Sequence, residues 1–212
     1  MFIVTLAGFV IAIIQKKIRG NLAFIFYYII LSLVVDFAAI YFFFLLNNTN
    51  LVGRLASLTT LIFVLCEYGL FLGFIIKNLN SPLRKFLSKA LLIFFYFCFV
   101  FLQFFHLSEE EFYITNSAID SIGLIVASLF YFFELLNRTE FVNIKNESPF
   151  WAITAILFYA SCSLPIYLFQ SFLSAKIPEY YKAVFSINFF LYIIVHLLFI
   201  KAYLCKKKME YA

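Results

Sequence analysis

Seven long apolar runs dominate this chain, at residues 2–14, 22–46, 55–76, 86–105, 116–136, 150–173 and 183–205. An α-helix rises 1.5 Å per residue, so crossing the hydrocarbon of a bilayer takes about 20 consecutive apolar residues. Six of the runs meet or approach that length; the first is shorter and begins next to Met1. The chain has 13% charged residues, against about 25% in soluble domains, and too little polar surface to cover a globule in water. The solvent for its apolar face must be lipid. The reading is an all-α, polytopic integral membrane protein: a single domain, 1–212, built as a bundle of seven transmembrane helices.

The breaks between the runs are short, polar and basic, and they set an orientation. With the N-terminus outside, the inner segments hold Lys16, Lys17 and Arg19, then Lys77, Arg84, Lys85 and Lys89, then Arg138 and Lys145, then Lys201, Lys206, Lys207 and Lys208. The outer segments hold Arg54, Lys176 and Lys182. That bias follows the positive-inside rule and predicts a cytoplasmic C-terminus. The first run is followed, not preceded, by its positive charges, which suits an uncleaved anchor better than a signal peptide. Such a chain is expected in a bacterial inner (plasma) membrane, multi-pass, with the lipid bilayer as its first partner. The net charge of +5 is spent on topology, and no basic patch suggests nucleic acid. The acidic run Glu109–Glu111 is expected in a solvated outer loop. Trp151, at the inner start of the sixth span, suits an interfacial anchor.

Polar residues at membrane depth are the candidates for function, because a carboxylate in hydrocarbon is costly unless it faces protein or water. Asp36 and Glu67 lie about 15–18 Å in from the outer helix ends, and His196 about 20 Å, at 1.5 Å per residue. The fifth span carries Asn116, Asp120, Gly123, Ala127, Tyr131 and Glu134 at spacings of three and four, a polar and small stripe on one face. The sixth carries Tyr159, Ser163, Tyr167 and Gln170 on one face, and Pro165, which is expected to bend it. The seventh carries Asn188, Tyr192, Phe199 and Tyr203, with His196 at the edge. The fourth is almost wholly apolar and reads as lipid-facing. Gly69 and Gly73 on the third form a GxxxG pair, expected to let a neighbouring backbone come close. Asn, Ser and Tyr on such faces commonly serve as interhelical hydrogen-bond glue. Buried acids are the stronger functional candidates.

Four segments carry a family resemblance: LIFVLCEYGLFLGFI, TNSAIDSIGLIVASLFYFFELL, SPFWAITAILFYAS and SINFFLYIIVHLLFIKAYLCKKK. Together they resemble an uncharacterised seven-helix membrane family of Bacteroidetes-type bacteria, over most of the chain. The resemblance marks Glu67, Asn116, Asp120, Phe150, Trp151, Tyr159 and Asn188. Asp120 departs from it, since that pattern more often has Glu there. It implies an architecture and no chemistry.

Better-known seven-helix chemistries fit poorly. A retinal protein needs a mid-membrane Lys on the last helix, where this chain has His196 and places Lys201 near the inner end. Seven-helix zinc hydrolases need several His ligands, and only His106 and His196 are present. No Cys-x-x-Cys motif or Cys/His cluster suggests a metal, and no cofactor is implied. A Ser–His–Asp hydrolase needs a serine beside His196, and nothing singles out Ser161 or Ser57. The leading expectation is a non-enzymatic, receptor-like or signalling bundle that binds a small or lipidic ligand near Asp120, Gln170 and Asn188 and works through a membrane or cytoplasmic partner. The alternative is a small proton- or cation-coupled transporter using Asp36 and Glu67, and an intramembrane enzyme comes third.

Overall fold

The computed structural model describes residues 2–15, 22–45, 49–104, 109–138, 144–176 and 178–205. Among these the chain forms seven α-helices: α1 (Phe2–Ile14), α2 (Ala23–Leu45), α3 (Thr49–Asn78), α4 (Pro82–Gln103), α5 (Glu109–Leu136), α6 (Ser148–Lys176) and α7 (Pro178–Leu204), with a 3-10 turn at Ile144–Asn146 before α6. The described parts of α3 to α7 each contain a stretch long and apolar enough to cross a membrane. Ile3–Ile14 and Ala23–Ala38 are apolar but shorter. The chain is a helical protein of the multi-pass membrane kind.

Several helices outrun their apolar stretches. α3 begins at Thr49, α5 at Glu109 and α7 at Pro178. The acidic run expected in a loop is therefore the first turn of α5. Pro82 and Pro178 open α4 and α7, where a missing N–H costs nothing. α6 runs unbroken through Pro165, whose side chain is exposed.

Six helices close a ring. α6 packs between α5 and α7, α7 touches α1, α1 touches α2, α2 touches α3, and α3 touches α5. α4 lies outside the ring against α3 and α5. Only Ser88, Phe95 and Phe99 of α4 are buried, while Phe86, Ile93, Phe94 and Phe97 face outward. An apolar helix with no polar stripe has nothing to hide from lipid, so its sequence and its peripheral place agree.

The glycines of α3 do not serve as expected. They admit aromatic side chains, not a neighbouring backbone. A Cβ on Gly69 would lie 2.6 Å from Tyr96 Oη, and one on Gly73 3.0 Å from the Phe24 ring. Tyr96 reaches over Gly69 to donate to the Leu65 carbonyl at 3.1 Å. Gly123 on α5 does the same for Tyr68, whose hydroxyl fills the place of a Cβ and donates to the Leu91 carbonyl at 3.3 Å. Two tyrosines thus lace α3 to α4, and Tyr68 also fits α3 against α5. We expect Gly123→Ala to destabilise the bundle by about 1–3 kcal/mol, the usual cost of overpacking. Adding Tyr68→Phe, which removes the clashing hydroxyl, is expected to recover most of that loss in thermal unfolding of the detergent-solubilised protein. A Gly123→Ala protein as stable as the parent would show that Tyr68 swings aside freely.

Candidate functional site

The polar stripe of α5 is buried along its length. Asn116, Asp120, Gly123, Ala127, Tyr131 and Glu134 all turn inward, because steps of three and four keep returning to the face that meets α3 and α6. The two acids on this stripe have opposite surroundings.

Glu134, near the end of α5, is fully partnered. Its Oε2 accepts the backbone N–H of Asn80 at 2.6 Å, and its Oε1 accepts that of Ser81 at 3.0 Å. Arg84 Nη1 lies 3.4 Å from Oε1 and stacks over the Phe133 ring, with 4.6 Å between the guanidinium carbon and the ring centroid. The carboxylate sits at the N-terminus of α4, where backbone donors and the helix dipole favour negative charge. It ties α5 to the short link between α3 and α4. This is a structural clamp.

Asp120 and Glu67 form the other centre. Asp120 is 6% exposed and Glu67 3%. They belong to helices that pack together, α5 and α3, and lie within electrostatic range of each other. Glu67 Oε1 and Asp120 Oδ1 are buried without a hydrogen-bond partner. The ion pairs Arg84–Glu134 and Arg138–Glu147 involve neither. Glu67 lies within electrostatic range of Tyr28 of α2, Tyr113 of α5, Tyr159 and Tyr167 of α6, and Tyr192 of α7. The Tyr28 hydroxyl donates to the Tyr192 hydroxyl at 2.9 Å. The Tyr159 and Tyr192 rings meet edge to face at 5.5 Å, and Tyr113 and Tyr167 at 6.1 Å.

His196 joins this centre from α7. Its ring stacks on Tyr192 at 5.4 Å and lies 6.0 Å from Tyr28. Nδ1 is 2.9 Å from the Tyr192 carbonyl. A carbonyl only accepts, so Nδ1 carries a proton and Nε2 of the neutral ring is an acceptor. That Nε2 is buried and unpartnered. The same logic fixes Asn116. Its Nδ2 donates to the Phe112 carbonyl at 2.8 Å, which leaves Oδ1 as an unpartnered acceptor one turn from Asp120.

The remaining candidates fall at different distances from this centre. Tyr159 is part of it. Asn188 is half-buried one turn before Tyr192 on α7, with Oδ1 unpartnered. Gln170 lies on α6, and its side chain is outside the described residues. Asp36 stands apart. It is half-buried two turns beyond Tyr28 on α2, and the acid that acts on Glu67 is Asp120. Among the described residues, no three His, Cys, Asp or Glu side chains come together to hold a metal.

Sequence reasoning had not singled out Tyr28 and Tyr113 as site residues. A signal was available for Tyr28. A tyrosine inside an apolar helix whose hydroxyl is turned away from lipid needs a partner within the bundle. Trp151 is half-buried, donates from Nε1 to the Lys145 carbonyl at 3.0 Å and lies under Lys201 Nζ at 5.8 Å. It fastens the turn before α6 to the end of α7. The chain matches no family model, no curated protein and no solved structure.

Proposed function

We propose that the chain is a seven-span bundle of a bacterial plasma membrane, N-terminus outside and C-terminus cytoplasmic, that acts as a non-enzymatic receptor-like protein. Its ligand site is the Glu67–Asp120 centre. The observation that supports this is the contrast between the acids of one helix face. A carboxyl kept as interhelical glue has its lone pairs taken, as Glu134 does. Glu67 and Asp120 are as deeply buried, lie within electrostatic range of each other, and keep bare oxygens. Side chains held so unfavourably are a common mark of a binding site.

Asp120 and Glu134 are 14 residues apart on α5, about 21 Å at 1.5 Å per residue. In the proposed orientation the centre lies near the middle of the bundle and the clamp at the cytoplasmic end. A ligand drawing α3, α5, α6 and α7 together would shift the inner end of α5, and with it the α3–α4 link that Glu134 holds. A cytoplasmic or membrane signalling partner would read that shift. The carrier reading through Asp36 and Glu67 has weaker support, because Asp36 is not the acid that neighbours Glu67.

The test is native mass spectrometry of protein purified in mild detergent. Wild type is expected to retain a bound small molecule, and Glu67→Gln to lose it with unchanged helical content. If Glu67→Gln fails to accumulate while wild type carries nothing, the centre is structural and the proposal falls. Orientation has its own test: a fluorescent protein fused after Ala212 is expected to glow and a phosphatase fused there to stay inactive, the reverse pattern placing that end outside.

A further inference from the structure

Four of the unpartnered atoms around the centre can accept a hydrogen bond, beside the unpartnered hydroxyls of Ser117 and Ser163, which can accept or donate. They are Glu67 Oε1, Asp120 Oδ1, Asn116 Oδ1 and His196 Nε2, which accept when the carboxyls are ionised and the imidazole is neutral. All four residues are at least nine-tenths buried, at 3%, 6%, 2% and 1% exposure. They come from three helices, α3, α5 and α7. One N–H of Asn116 is committed to the Phe112 carbonyl, and His196 Nδ1 to that of Tyr192. What fits here must bring donors and, beside two carboxyls, positive charge. Around the acids the walls are aromatic, with Tyr28, Tyr113, Tyr159, Tyr167 and Tyr192 contributing ring faces and edges. Aromatic faces attract organic cations and cover their apolar substituents. A bare metal ion would prefer a shell of oxygen ligands without such walls.

Resting on the receptor reading above, we propose that this centre binds a small organic primary ammonium. Its N–H groups are directed at Glu67, Asp120 and Asn116, and its apolar portion lies among the tyrosine rings. A quaternary ammonium carries the charge but no N–H, and would leave the acceptors bare. A neutral alcohol donates a single hydrogen bond and brings no charge. An anion meets two carboxyls. These differences rank the probes before any natural ligand is known.

The experiment is a thermal-shift titration of the full chain in lipid nanodiscs. The probes are butylammonium and phenethylammonium, with butyltrimethylammonium, 1-butanol, 2-phenylethanol, butyrate and sodium as comparisons. A saturable stabilisation by at least one primary ammonium at millimolar concentration or below is expected, with the matching alcohol inert. Glu67→Gln and Asp120→Asn are each expected to weaken it about tenfold or more, as loss of a charged hydrogen-bond partner does. Tyr159→Leu keeps both acids and is expected to weaken phenethylammonium more than butylammonium. It provides a readout if the acid variants fold poorly. Equal response to alcohol and ammonium, a response to sodium alone, a preference for butyrate, or no response to either primary ammonium overturns the inference. If an alcohol or a co-purified neutral lipid stabilises the protein and that effect depends on Glu67, the receptor reading stands while the ammonium inference fails. If no compound binds, and Glu67→Gln unfolds the bundle, both fail.

Discussion

Glu134→Ala is expected to destabilise the bundle by about 3 kcal/mol, more than any other single side-chain truncation among the polar residues of α5. The carboxylate accepts two backbone N–H groups, of Asn80 and Ser81, on different oxygens, and Arg84 pairs with one of those oxygens. Hydrogen bonds to a charged acceptor contribute about 1.5–3 kcal/mol each, and nearby water recovers part of what is lost. Arg84 is 24% exposed, so its share is screened, and Arg84→Ala is expected to cost under about 1 kcal/mol. Glu134→Gln should fall between the two. An amide offers one acceptor oxygen, so its NH2 must point at Asn80 N–H or at the Ser81 and Arg84 donors. Loss of helical signal in an SDS titration measures all three. If Glu134→Ala costs no more than Arg84→Ala, the backbone bonds contribute little and the clamp is only a surface ion pair.

That clamp also shows where sequence reasoning stops. The all-helical architecture was legible because apolar runs of this length have one economical solution in lipid. The inward face of α5 was legible because a period of three and four fixes one side of a helix, and the outward place of α4 because nothing on it is polar. What was not legible depends on contacts between helices. Glu134 looked like one more member of the stripe, yet its partners are backbone groups 54 and 53 positions away in the chain. No residue type announces a backbone donor. Gly69 and Gly73 matched a pattern for close helix approach, and the structure uses the space for Tyr96 and Phe24. The pattern reports only that a Cβ is missing and is silent on what fills its place. Asp36 and Glu67 looked equivalent by depth. Depth is set by position along a helix, whereas the acid near Glu67 was decided by how α3 turns toward α5. The ends of the helices do not coincide with the ends of the apolar runs. Thr49 and Glu109–Glu111 are helical because backbone hydrogen bonding continues past the edge of the apolar run.

Neutralising both acids of the centre is expected to reveal an unfavourable coupling between them of about 1–2 kcal/mol, the range typical of side chains in one interacting network. The cycle consists of Glu67→Gln, Asp120→Asn and the double variant, read by SDS titration at one neutral pH. Each amide is nearly isosteric with the acid it replaces, so packing changes little. Where both carboxyls are ionised, the first neutralisation, at either position, removes the mutual repulsion of like charges. The second then has nothing left to relieve, and the double variant is less stable than the sum of the single effects implies. A cycle is the right measure because each helix alone also carries its acid in the dissociated bundle. Contributions confined to a single residue cancel, and only the interaction between α3 and α5 remains. A structural pair would give the opposite sign. Two carboxyls that share a proton and bond to each other are glue, and breaking the pair at either end forfeits the same favourable term. The sign of this coupling therefore separates a centre held unfavourably for an incoming cation from one that serves to join two helices. Addition of butylammonium to the wild-type arm sharpens the distinction: a bound cation should erase the unfavourable coupling, while a glued pair should not respond.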